Sequence, residues 1–204
     1  MNRRTNEQGR EVRTVQVPEF RVLKAENGEA ARLTGHAAVF NQVASGGWFN
    51  EKIAPGAFAD SLKSDDVRAL WNHNPDMVLG RNKAGTLKLY EDEKGLVSEI
   101  TPPDTQFARD LLVSIERGDI TQMSFAFQTI TEAWEKGDEG QPDLRTLVKV
   151  KLYDVSPVTY PFYDGTDVAV RSHDQWRSVS EPVPWRRELL RRRIKIFDMA
   201  AGNK

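Results

Sequence analysis

The 204-residue chain contains no cysteine. That absence excludes thiol nucleophiles, zinc-thiolate centres and disulfide staples, and it leaves no requirement for an oxidising compartment. No apolar run approaches the roughly 18 residues of a membrane span, and Met1-Asn2-Arg3-Arg4-Thr5 lacks the apolar stretch of a secretory leader. Charge of one sign is missing too. With a formal net charge of −1, no global field draws the chain to nucleic acid or to an anionic membrane. The three histidines, His36, His73 and His173, are scattered without ligand spacing, and no glycine-rich phosphate loop or dinucleotide fingerprint occurs. No metal or other cofactor is implied. Internal repeats are also lacking, and the length suits one domain with tails.

What is present is alternation broken by turn residues. Residues 1–16 are polar and charged without usable period and read as a mobile N-terminal arm, followed by a folded domain over 17–171. Residues 20–40 alternate loosely around Glu26-Asn27-Gly28, the turn of a hairpin. Pro55 opens a short helix over 55–62, with Phe58 and Leu62 on one face. Residues 67–71 read as a strand with His73 just past its end. Residues 86–90 and 96–100 alternate with period 2 on either side of Asp92-Glu93-Lys94-Gly95, and so predict a second hairpin. Phe107, Leu111, Leu112 and Ile115 form the apolar stripe of a helix capped by Asp104 or Thr105 and ended by Gly118. Strands follow around Ser124, over 145–152 and near Asp154, with a loop at 136–142. The expected fold class is α+β, a small curved β-barrel or sheet of about six or seven strands with flanking helices.

Residues 172–204 read as a linker and a tail. Ser and Pro over 178–184 precede a basic amphipathic helix from Trp185 to Phe197. It reads as an appendage that docks on this protein or a neighbour, with nucleic-acid or membrane contact as the alternative.

The candidate chemistry centres on Ser124 in Met123-Ser124-Phe125-Ala126-Phe127, where large apolar neighbours hold a hydroxyl in one orientation. His73 stands at the end of another strand-like run. Asp154 lies in the apolar stretch Tyr153-Asp154-Val155-Ser156-Pro157-Val158 and needs a partner, because an unpaired buried carboxylate costs several kcal/mol. His73 would supply that partner, and so would Arg145, Lys149 or Lys151 in a purely structural role. In the first case serine, histidine and acid, each on a different strand, make the constellation for acyl transfer. His36 reads as a packed or hydrogen-bonded residue, and Asp65 and Asp66 as solvated turn residues.

Taken in order, residues 33–40 (LTGHAAVF), 53–58 (IAPGAF), 70–74 (LWNHN), Gly80-Arg81, 118–127 (GDITQMSFAF) and 154–161 (DVSPVTYP) resemble the prohead maturation proteases of tailed phages. The resemblance covers about 20–171 and implies a fold like that of herpesvirus assemblin. It further implies a serine endopeptidase that cleaves the scaffold or delta segment of the major capsid protein, and often itself, inside the assembling procapsid in the host cytoplasm. Ser124 would be nucleophile, His73 general base and Asp154 the third member, at a position more often Glu in relatives. No residue is assigned to the oxyanion hole, because Pro157 and Pro161 carry no N–H. The expected partners are therefore the capsid protein and the protease itself, as autoproteolysis substrate or oligomer; neither membrane nor nucleic acid is expected. A catalytically silent capsid-assembly factor of the same fold is the alternative.

Overall fold

The computed structural model describes residues 10–16, 19–24, 30–45, 49–160 and 167–180. Along the chain run β1 (Arg10–Gln16), β2 (Arg21–Leu23), β3 (Arg32–Val39), β4 (Ala44–Ser45), β5 (Asn50–Ile53), α1 (Ala59–Ser64), β6 (Arg68–Trp71) and β7 (Asn74–Arg81). They continue with β8 (Leu87–Glu91), β9 (Gly95–Ile100), α2 (Gln106–Glu116), β10 (Gln122–Glu135), β11 (Leu144–Val158) and α3 (Asp167–Ser180). Two compact units result, Met1–Gly165 and Thr166–Lys204.

Period-2 alternation builds the smaller sheet, β2-β3-β9-β8, in which every pairing is antiparallel. Both expected hairpins are present, although the Glu26-Asn27-Gly28 turn lies outside the described residues. A shift of register between His36 and Ala38 lets β9 enter at Gly95, where any Cβ would overlap the Ala38 carbonyl, so only glycine fits.

The larger sheet follows the path β1-β10-β11-β5-β4, with β6 beside β11 and β7 beside β6. Among the described residues the sheets form no closed barrel, and the barrel alternative fails because β1, β4 and β7 end the larger sheet as edges. The two strands expected over 145–152 and near Asp154 are one continuous β11, and β7 was not foreseen at all. β11 is antiparallel to β10 but parallel to both β5 and β6.

The core is apolar and aromatic. Phe58 lies 6.3 Å from Phe40 and meets Phe125 edge-on at 5.6 Å, and Phe125 stacks on Phe127 at 5.0 Å. All four are buried, each contributing about 1.5–3 kcal/mol by leaving water.

Three further expectations are corrected. Residues 10–16 are not an arm: β1 is a strand whose inward positions are Glu11 and Arg13, charged and ion-paired, before Val15 packs on the core, which hides the period that hydrophobicity would reveal. α1 begins at Ala59 rather than Pro55, because Gly56 at φ 85° holds a turn ahead of it. Ser178 to Ser180 belong to α3, which crosses the expected boundary at 171, whereas the basic segment from Trp185 lies outside the described residues. α2 starts after Thr105, whose side chain makes no cap bond, and ends before Gly118 at φ 81°.

Candidate active site

Strand alternation decides which residues of β10 face the core. Met123, Phe125 and Phe127 point into the aromatic cluster, so Ser124 and Ala126 face the other way. On the neighbouring β11, Ser156 is opposite Ser124 and Asp154 is opposite Ala126, placing both side chains on the serine's face. β6 runs along the far side of β11, pairing Arg68 with Asp154 and Ala69 with Val155.

The hairpin from β6 to β7 carries His73 back over that face. Trp71 pairs with Asn74, leaving Asn72 and His73 as a two-residue loop at φ 54° and 55°. Two positive φ values are the mark of a type I′ turn, whose second position favours glycine. Histidine there costs about 1–3 kcal/mol and persists only because its surroundings hold it. Asn72 does much of the holding: its N–H donates to the Pro157 carbonyl at 3.0 Å and its Oδ1 accepts from the Thr159 N–H at 2.9 Å.

The result is a chain of hydrogen bonds across three strands. His73 Nε2 lies 2.7 Å from Ser124 Oγ, and His73 Nδ1 lies 2.5 Å from Asp154 Oδ1. Asp154 is buried, and each of its oxygens has further support. Ser156 Oγ donates to Oδ1 at 2.9 Å, while the Arg10 guanidinium from β1 pairs with Oδ2. Arg10 in turn lies over the Tyr153 ring, 5.1 Å from its centre. The Ser124 hydroxyl has a second neighbour, the Arg13 carbonyl, at 2.9 Å. Beside the imidazole a cleft of about 260 Å³ is lined by Asn72, His73, Val158, Thr159 and Tyr160.

The opposite face of β1 meets a buried cluster of charge. Arg145 donates to Glu11 at 2.7 and 3.0 Å, to Glu51 at 2.9 Å, to Glu132 at 2.6 Å and to Thr129 at 3.0 Å. Arg13 binds Glu51 at 2.5 and 2.9 Å and Glu11 at 2.9 Å. Burial pushes the Glu11 carboxyl up, but the hydrogen bond and charge of Arg145, aided by Arg13 and Thr129, outweigh it and hold the group at about 2. Burial acts to lower both arginines, and their carboxylate partners raise them above the ordinary arginine value.

The structure therefore brings Ser124, His73 and Asp154 together. The basic residues that might have claimed Asp154 are engaged elsewhere: Arg145 in its cluster, Lys149 with Asp60 at 2.6 Å, and Lys151 over the Tyr153 ring. His36 bonds Glu19 at 3.1 Å and Asp92 at 3.0 Å, and His173 is buried in α3 with its ring stacked on Trp176. Asp65 and Asp66 are not merely solvated, since Asp65 accepts from Ser61 at 2.6 Å and Asp66 binds both Arg68 and Arg81. Sequence reasoning missed Arg10, Ser156 and the Asn72 clamp. Of these only Asn72, in an Asn-rich run before Pro75, carried a readable turn signal.

A hydroxyl on β10 and a carboxylate on the neighbouring β11 are bonded in series through an imidazole on the β6–β7 turn, a geometry in which a serine could be activated for acyl transfer. The chain belongs to the caudovirus prohead serine proteases, whose family profile matches residues 18–179. Its fold is similar to that of the bacteriophage T4 capsid assembly protease, with a TM-score of 0.53 at 10% identity, over 73% of this chain and 96% of that one. No curated protein sequence matches.

Proposed function

We propose that the protein is the maturation endopeptidase of a phage prohead, acting inside the assembling particle on the scaffold or delta segment of the capsid protein and on itself. The reading rests on the serine, histidine and acid bonded in series at 2.7 and 2.5 Å. In it, His73 Nε2 takes the Ser124 proton as Oγ attacks the scissile carbonyl, and Asp154 holds Nδ1–H and stabilises the imidazolium. The imidazolium then gives its proton to the departing amine, and water releases the acyl group by the reverse sequence. Ser156, donating from its hydroxyl to Oδ1, fixes Asp154 from within β11. The cleft beside His73 is where the departing segment would lie.

Residues beyond the protease domain, from about 172, are proposed to deliver the enzyme to scaffold or capsid or to restrain it until self-cleavage. Intact mass spectrometry tests the main reading, with wild-type and Ser124→Ala chains each co-expressed with a capsid protein bearing its full N-terminal segment. Defined fragments with the wild type alone are expected. Identical fragments with both, or none with either folded chain, would sink it in favour of a silent assembly factor.

A further inference from the structure

Ser124 is fully buried, at 0% exposure. A nucleophile that cuts other proteins cannot work in that state, and β1 lies against it. The strand runs antiparallel along the free edge of β10, with Thr14 opposite Ser124 and the Arg13 carbonyl 2.9 Å from Oγ. β1 thus does three things a peptide substrate would do. It is extended, it pairs its main chain with the nucleophile strand, and it presents a peptide carbonyl to the hydroxyl.

It also competes for the proton on which catalysis depends. A hydroxyl has one hydrogen to donate, and while the Arg13 carbonyl accepts it, His73 Nε2 does not. Arg10, on the same strand, neutralises Asp154 Oδ2, which weakens the pull of that carboxylate on a developing imidazolium.

We infer that β1 is a cis-acting occupant of the peptide track along β10, and that the enzyme cuts other chains only after an extended segment displaces it. The inference rests on the protease reading above. Two observations make departure feasible. Among the described residues β1 is an edge strand paired with β10 alone, so no second described ladder must break. Its inward residues, Glu11 and Arg13, carry opposite charges, so their exit leaves the cluster's net charge unchanged, with Arg145 still bound to Glu51 and Glu132. Release would expose Ser124, free its proton for His73 and leave Asp154 to His73 and Ser156 in one movement.

The absence of native cysteine makes the test clean. Val12 and Ala126 are directly opposite, and in the full-length Val12→Cys/Ala126→Cys variant oxidation would staple β1 to β10. Ser124 is then followed by intact mass as a fluorophosphonate probe labels it. The stapled form is expected to label at least about tenfold more slowly than the same protein reduced, since local opening must precede reaction. Equal rates would overturn the inference. As a second arm, Val15→Pro removes a main-chain donor of the set that, with Arg13, β1 directs at β10; it should label faster than wild type while circular dichroism shows the fold intact, and a slower or unchanged rate counts against the inference. If wild type and every variant stay unlabelled, the catalytic assignment of Ser124 has failed, and the inference falls with it.

Discussion

Two polar clusters flank β1, and they use similar groups to opposite ends. On the inner side, Glu11 and Arg13 join Arg145, Glu51 and Glu132, three carboxylates held by two guanidiniums, all on strands. On the outer side, Asp154, His73, Ser124 and Arg10 also bond in series, but His73 sits on a strained two-residue turn, the chain of bonds ends in a neutral hydroxyl, and a cleft opens beside it. Burial and ion pairing are common to both, so they do not distinguish a structural cluster from a reactive one. The distinguishing features are the strain and the hydroxyl that can be left without its proton. A saturated cluster is optimised for its ground state; the outer one leaves room for charge to appear.

The contrast can be broken by substitutions read for rate and stability separately. Ser124→Ala should lower turnover by about 10⁴ to 10⁶-fold while thermal unfolding stays nearly unchanged. A large fall in Tm would mean that the hydroxyl is a structural bond and the outer cluster no different from the inner. Asp154→Asn should cost about 10³ to 10⁴-fold in turnover, less than His73→Ala, with the fold retained; loss of folding instead would make Asp154 another structural anchor. Arg145→Ala should behave in the reverse way, losing about 3–5 kcal/mol in a urea titration because Glu11 and Glu51 are left buried without it. An inactive but equally stable Arg145→Ala protein would put the inner cluster in the chemistry.

The smallest effect is set by acidity. Glu11 is held at about 2 in the fold, below its ordinary 4.5, so the stability it contributes is full above about 4.5 and is lost as pH falls from there towards 2. Acid unfolding of Glu11→Gln should therefore be shallower than that of the wild type over this window. Equal slopes would remove Glu11 from the account of stability.

Much of this was readable from the residues, for physical reasons. Ser124 stood out because large apolar neighbours hold its hydroxyl in one orientation, Asp154 because a carboxylate in an apolar stretch needs a partner, and His73 because it stands at the end of a strand-like run. The hairpin of β8 and β9 and the stripe of α2 are local patterns, and both appear where expected. β1 was invisible for the opposite reason. Its inward face is carried mostly by the ion-paired Glu11 and Arg13, with Val15 alone on the apolar core, so Arg10 to Gln16 hardly alternates in hydropathy. The parallel pairing of β11 with β5 and β6 joins segments about 80 to 95 positions apart, a relation that no local window contains. Ser156 looked like an ordinary strand serine until the register put it two residues from the acid, on the same face.

The parallel pairing also sets when the enzyme can exist. The base and the acid are 81 positions apart in sequence, and the segment carrying the acid slots between β10 and β6, both made earlier. A ribosome adding about 5–20 residues per second needs roughly 4–16 s to pass from one to the other, and long-range parallel registry is slow to form even then. The growing chain therefore holds its histidine and its serine for seconds before it has the carboxylate that would put them to use. Until residue 154 has been added, the hydrogen-bonded series from serine through histidine to carboxylate cannot form.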